Sequence, residues 1–357
     1  MMKGDLRVRK VTTKNIRRLV DFLSRERKSL SPLLILTHDY PDPDALASSF
    51  AFAYLAKKGF NISCQIAYGG IIGRAENQAM VKILKIPIRK FKATDLKKYS
   101  NLVLIDTQPE FDNNPFPSER KATIVIDQHP SLEKKPLARL SIIDTECGAT
   151  SVILAQSLFL TGTEIPKRIG TALAYGILTD TLNLYRAKRS DIIKTYISLL
   201  PFCDLRALTQ IQNPPRSRRF FVTLEKGIKE ALIYGKLIIT HLGWVENPDV
   251  VSQITEFLLT YEKMRYSFCT GRYKEKLHFS LRAADPNFLA ADVLRDIVEN
   301  PRDAGGHDAI AGGSFFVGKG VSESIWQDTE KNLAQKLIAR LKLFPKNKLN
   351  SPMRLIG

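Results

Sequence analysis

LLILTHDYPDPDALASSFAFAYLAKKGF, residues 33–60, changes character twice, and both changes are informative. Leu33–Leu36 is an apolar run too short for a helix and reads as a buried strand. THDYPDPDA follows as a loop, its backbone restricted by Pro41 and Pro43. ALASSFAFAYLAKKGF then carries apolar residues at helical spacing until Gly59. The stretch is therefore strand, loop, helix. ISCQIAY (62–68) is a second strand, followed by a helix running from GGIIGRAEN through AMVKIL. NLVLID (101–106) and TIVID (123–127) are further short apolar runs, each closed by an acid. Strands alternating with helices imply an α/β fold with a parallel sheet. An amphipathic helix over 13–29 precedes them, and helices are expected over 148–161 and 166–179, the latter with Pro166 near its first turn.

At 357 residues the chain is too long for one ordinary core. A domain of 1–205, a linker of 206–230 around Asn213-Pro214-Pro215, a smaller α/β domain of 231–345 and a basic tail of 346–357 are expected. In the second domain ALIYGKLIITHLG and RYSFCTGRYKEKLHFSLRA read as strands, and 288–299 and 324–343 as helices. Hydrophobic residues at 44% and charged residues at 25% exclude a mainly disordered or collagen-like chain. No apolar run reaches membrane-spanning length and the first ten residues lack a secretory pattern, so a cytoplasmic protein without a membrane partner is expected. Cys64, Cys147, Cys203 and Cys269 are too scattered for a zinc knuckle and read as reduced thiols. With 54 Lys+Arg against 36 Asp+Glu the net charge is +18, which favours polyanionic ligands. Arg216, Arg218 and Arg219 cluster, and residues 331–357 contain basic but no acidic side chains.

His38, Asp106, Asp127 and His129 each fall at or just past the carboxyl end of an apolar strand, the edge where open parallel sheets bind ligands. His38, Asp42 and Asp44 crowd one Pro-containing loop, and Asp180 ends the apolar helix of ILTDT. A single aspartate after a strand usually caps a helix or closes a turn. Several at neighbouring strand ends, with imidazole, suit a hard divalent ion such as Mn2+ or Mg2+ better than thiolate zinc.

THDYPDPDALASS, the LID ending in Asp106, IDQH and ILTDT resemble the four motifs of the DHH phosphoesterases. AGGHDAIAGG (304–313), read as a glycine-rich loop, resembles the glycine-rich motif of their associated C-terminal domain. The resemblance runs over about residues 30–345, and the two-domain length is most similar to the group of nanoRNases and 3′-phosphoadenosine 5′-phosphate phosphatases. It implies an active site in a cleft between the domains. His38, Asp42 and Asp106 would hold one Mn2+, and Asp44, Asp106 and Asp180 a second, with Asp106 bridging. Asp127 would support its motif, and His129 would act catalytically with Asp106, contacting the phosphate or helping the leaving group. Arg282, Gly305, Gly306, His307, Gly312 and Gly313 would grip the substrate. Gln128 departs from the pattern, because the family has histidine there as a ligand of the second metal, and an amide oxygen is a weaker donor.

The resemblance implies hydrolysis of short oligonucleotides or nucleoside bisphosphates, with a homodimer among the expected assemblies. Cyclic- or linear-dinucleotide cleavage and exopolyphosphatase activity are alternatives within the same chemistry. A type II pyrophosphatase fits the glycine-rich motif less well. An alternative of another class is a non-catalytic nucleotide-binding regulator whose second metal site is impaired at Gln128.

Overall fold

A computed structural model describes residues 2–131, 138–307 and 309–343, and the side chains of residues 14–306 and 309–343 within them. The basic tail expected over 346–357 lies outside the described residues. The chain divides into two compact units, Met1–Pro214 and Pro215–Gly357.

The first unit opens with helix α1 (Met2–Leu30), strand β1 (Leu33–Leu36), α2 (Pro43–Phe60), β2 (Cys64–Tyr68), α3 (Ala75–Leu84), β3 (Ile88–Lys90) and α4 (Asp95–Lys98). It continues with β4 (Asn101–Ile105), β5 (Ala122–Asp127), β6 (Ala138–Ile143), α5 (Thr150–Thr161), α6 (Lys167–Asp180), α7 (Ser190–Leu199) and α8 (Leu205–Gln212). The six strands pair in the order β3-β2-β1-β4-β5-β6, and every pairing is parallel. The chain leaves β1 towards one edge of the sheet and returns on its other side as β4. The topological switch point is therefore between β1 and β4, where the strand ends leave a crevice.

Alternation places the core on both faces. Leu33, Ile35, Val103, Ile105, Ile124 and Ile126 meet the apolar faces of α1, α2, α5 and α6. Leu34, Leu36, Leu102, Leu104 and Val125 turn the other way, onto Tyr99 and Phe116. Helices approach closely at Gly176 of α6, where a Cβ would meet Ser151 Oγ at 2.4 Å and Asp44 Cα at 3.2 Å. Glycine there lets α6 press against the start of α2.

The second unit contains α9 (Arg218–Lys229), β7 (Leu232–Tyr234), β8 (Leu237–Trp244), α10 (Asp249–Leu259), β9 (Tyr266–Tyr273), β10 (Lys276–Ala283), α11 (Ala290–Ile297), β11 (Ala304–His307), β12 (Ile310–Phe316) and α12 (Glu323–Arg340). Its mixed sheet has the order β11-β12-β10-β9-β8-β7, parallel only between β8 and β9. One sheet face packs on α11 and α12, the other on α9 and α10.

Three expectations change. Residues 206–230 are not a linker: α8 and α9 occupy most of the stretch, because Leu208 and Ile211 bury in the first unit while α9 packs on the second, leaving 213–217 between them. Asp44 is in the first turn of α2, not in the loop, since Pro43 starts the helix and Asp42 caps it through Ala45 N at 2.9 Å. The glycine-rich motif is not a loop but a hairpin of two strands, with Ala304 opposite Gly313 and Gly305 opposite Gly312. Among the described residues no helix is long and apolar enough to cross a membrane, and all four cysteines are free.

Candidate metal centre

Beyond β1 the chain turns at His38, whose Nδ1 lies 2.8 Å from the carbonyl oxygen of Asp39. Donation of that N–H to the carbonyl leaves Nε2 with the lone pair, aimed inward, the usual posture of a ligating histidine. Nε2 lies 3.7 Å from both Asp42 Oδ1 and Asp106 Oδ2. Asp42 arrives as the cap of α2, and Asp106 from the end of β4. Asp106 adopts φ +58, a left-handed conformation unusual outside glycine but tolerated by aspartate. This bends the chain off β4 at the switch point and leaves the carboxylate only 2% exposed. Thr150 Oγ1 fixes it with a hydrogen bond to Asp106 Oδ1 of 2.8 Å.

A second constellation follows β5. Asp127 Oδ1 accepts from Gln128 N at 2.7 Å and His129 N at 3.2 Å, and it faces His129 Nδ1 at 2.8 Å. Its Oδ2 accepts from Gln108 Nε2 at 2.7 Å. Asp106, Asp127 and His129 lie close enough to share an ion. Asp127, however, is filled by these donors, so it orients His129, as a carboxylate behind an imidazole does. His129 Nδ1 is thereby engaged and Nε2 remains for a ligand.

The set expected for a second metal is arranged differently. Asp44 is fully buried and accepts from the backbone N–H groups of Thr150 (2.6 Å) and Ser151 (2.8 Å). Its carboxyl group therefore sits at the amino end of α5, taking up N–H groups that the helix leaves unpaired. Asp180 accepts a short hydrogen bond from the amide Nε2 of Gln128. Neither Asp44 nor Asp180 joins the groups that converge as His38, Asp42 and Asp106 do among the described residues.

The electrostatics nonetheless couple all four acids. Burial, then the charges of Asp106 and Asp42, push Asp44 well above the usual carboxylate range. Burial and the charges of Asp42, Asp44 and Asp106 do the same to Asp180. Burial and Asp42 raise Asp106 to about 6. Burial opposes charge on His38, yet Asp42 and Asp106 outweigh it and raise its pKa to about 10. For His129 burial is likewise outweighed, by Asp127 and Asp106, giving about 9. Burial opposes ionisation of Asp42 as well, but His38 and the N–H of Ala45 hold it down at about 2. A pocket that raises three carboxylates and favours both imidazoliums is short of positive charge. Oxygen donors with imidazole nitrogen fit a divalent cation of the Mn2+ or Mg2+ kind.

Sequence reasoning did not single out Thr150 or Gln108, which hold Asp106 and Asp127 in place. The threonine opening α5 after Gly148-Ala149, and the glutamine two residues past Asp106, were the available signals.

In the second unit Arg282 is buried and already engaged. Its Nε and Nη2 donate to Glu256 Oε1 at 3.3 and 3.0 Å, and Nη1 donates to Ser280 Oγ at 2.9 Å and the Ala311 carbonyl at 3.0 Å. The last bond ties it to the glycine-rich hairpin. A Cβ at Gly313 would meet the Asp303 carbonyl oxygen at 2.0 Å, and one at Gly306 (φ +140) the Ile310 carbonyl oxygen at 2.2 Å, so packing demands glycine at both. At Gly312 a Cβ would come within 3.0 Å of the Phe279 carbonyl oxygen, whereas Gly305 faces open space. His307 ends β11, and its side chain lies outside the described residues.

Residues 32–177 match the model of the DHH family, N-terminal domain. An uncharacterized protein of Methanocaldococcus jannaschii is 30% identical over 322 residues, 89% of this chain and 65% of that protein. A probable manganese-dependent inorganic pyrophosphatase of Streptococcus pyogenes is 26% identical over 159 residues, 43% of this chain and 50% of that protein. The chain thus spans about half to two thirds of the length of these curated relatives. Among solved structures, an exopolyphosphatase-related protein from Bacteroides fragilis superposes with a TM-score of 0.69 at 15% identity, covering 92% of this chain and 98% of that one. RecJ from Thermus thermophilus, in complex with Mn2+, superposes with a TM-score of 0.53 at 15% identity, covering 93% of this chain and 55% of that one. Both likenesses concern the fold.

Proposed function

We propose that the protein is a metal-dependent phosphoesterase acting on short oligonucleotides or nucleoside bisphosphates. The observation that carries this reading is the convergence of His38, Asp42 and Asp106 at the switch point of the parallel sheet, with a carboxylate-oriented His129 beside them. His38, Asp42 and Asp106 would hold one divalent ion, and Asp44, Asp106 and Asp180 would approach a second. A bound divalent ion of this kind lowers the pKa of a water ligand and neutralises charge on phosphate. The residues supply the rest. Asp106 lies between the two groups and links them. Asp127 fixes the ring of His129 so that an imidazolium at neutral pH can donate from Nε2 to a phosphate or leaving-group oxygen. In the second unit, taken by itself, Arg282 would bind phosphate by exchanging Glu256 for it, beside the glycine-rich hairpin.

A second reading has an observation of its own. Gln128 occupies Asp180 with a neutral amide, which suits a protein that binds nucleotides without turning them over. The pyrophosphatase relatives and the exopolyphosphatase-related fold neighbour favour inorganic chains as substrates instead. Product analysis separates the three. Purified protein with Mn2+ is offered labelled oligonucleotides of two to about ten residues, 3′-phosphoadenosine 5′-phosphate, pyrophosphate and polyphosphate. Mononucleotide release or adenosine monophosphate formation is expected. Orthophosphate release from the inorganic chains alone, or binding without turnover, overturns the proposal.

A further inference from the structure

The second unit carries an arrangement that metal chemistry does not use. Trp244, the last residue of β8, is 59% exposed and presents its indole to solvent. The backbone is built to present it. A register shift interrupts the pairing of β8 with β9 between His241 and Trp244, and Gly243 adopts φ +68. Lys226 Nζ lies so near that a Cβ at Gly243 would meet it at 2.7 Å. The exposed indole is also braced from behind. Trp326 of α12 is buried and meets it edge-on, with centroids 5.5 Å apart at 69°. The guanidinium of Arg272 lies 5.5 Å from the Trp326 centroid. Arg272 is locked in turn, donating to both carboxylate oxygens of Glu330 at 2.9 and 2.7 Å and to Glu323 at 2.7 and 2.8 Å.

A cation stands beside it: Lys226 Nζ, next to Gly243, is in a loose pair with Glu230 Oε2 at 3.9 Å. Glu323 and Glu330 are both paired with Arg272. A rigid aromatic ring with a lysine beside it, on a chain of net charge +18, matches a polyanion that carries planar bases, since every base has a face to stack.

We propose that Trp244 is a stacking platform for a base of single-stranded nucleic acid, with Lys226 receiving a neighbouring phosphate. This rests on the nucleotide reading above and deepens it. Bases, not phosphates alone, would be recognised, and a polyphosphate would gain nothing from the indole.

The chain has two tryptophans, and Trp326 is buried, so quenching of intrinsic fluorescence reports on Trp244. The protein is titrated in EDTA, which prevents turnover, with a riboadenylate decamer and with polyphosphate of equal charge. Saturable quenching by the decamer and little by polyphosphate is expected. In anisotropy titrations with a labelled decamer, Trp244→Ala should weaken binding about tenfold or more, and Trp244→Phe should recover most of the loss. Absence of quenching, or an Ala variant within about twofold of wild type, overturns the platform. A parallel hydrolysis assay with Mn2+ keeps the two readings apart. Hydrolysis without quenching removes the platform alone. Quenching and the expected Ala loss without hydrolysis support the platform and remove the catalytic reading.

Discussion

The acid cluster of the first unit has two halves that differ in how they balance charge. On one side His38 faces Asp42 and Asp106, and an imidazole that gains a proton can neutralise either carboxylate. On the other side Gln128 faces Asp180, and an amide can donate a hydrogen bond but carries no charge. The first half is therefore compensated before any ion arrives. The second half, with Asp180 and Asp44 both raised by burial and by their neighbours, depends on one more strongly. A single exchange of imidazole for amide changes which part of the pocket carries the electrostatic cost.

The largest test removes the residue common to both halves. Asp106→Asn keeps a side chain that tolerates φ +58 but lowers the charge, and phosphoester hydrolysis should fall by at least about 10⁴-fold, with unchanged circular dichroism and reduced Mn2+ content. Near wild-type turnover would show that the halves do not share a ligand. A smaller loss, roughly 10²- to 10⁴-fold in kcat, is expected for His129→Ala, since a proton donor goes while the acids stay. Metal content measured on the same protein should match wild type. If it dropped, His129 would be a ligand and the Asp127 pair would need another explanation.

Gln128→His sharpens the contrast directly. It should tighten binding of a second Mn2+ by about tenfold, seen as a second step in calorimetric titration, because neutral imidazole is a better donor than an amide. Two tight steps already present in the wild type would place Gln128 outside the coordination shell.

The smallest effect is on stability. Asp106 is raised to about 6, so the metal-free fold binds its proton more tightly than the unfolded chain does and loses stability as pH rises from about 4 through 6. Asp44 and Asp180 act in the same sense. His129 and His38, raised to about 9 and 10, stabilise fully below their ordinary pKa and lose that contribution as pH climbs through those values. Asp42, lowered to about 2, has the opposite sign and matters only in strong acid. In EDTA, Tm should therefore be higher at pH 5.5 than at pH 8, by at least about 5 °C, and Mn2+ should raise Tm more at pH 8. A metal-free Tm that rises with pH over this range would contradict the assigned shifts.

Much of this was legible because the relevant signals are local. Short apolar runs announce β1, β4 and β5, the last two closed by acids, while the prolines around Asp42 hid the start of α2 in an expected loop. The edge strands were missed for the converse reason. Three-residue β3 is too brief to show a pattern, and Arg139 and Ser141 interrupt β6, one face of which is not buried. At the site, His38 and Asp42 are four residues apart and could be read together. Thr150 reaches Asp106 across 44 residues and Gln108 reaches Asp127 across 19, so nothing local marks them as partners. The glycine-rich segment misled because glycine serves turns and crowded strand pairs alike. Only the neighbours at Gly306 and Gly313 tell them apart.

Helix α1 brings its own timing problem. Its Leu19 and Leu23 bury against helices and strands that follow, and Glu26 accepts from Arg139, 113 residues further along the chain. On a ribosome adding about 5 to 20 residues per second, that partner is made roughly 6 to 23 s after the helix itself. Through that interval the apolar stripe of α1 has no finished sheet to lie against.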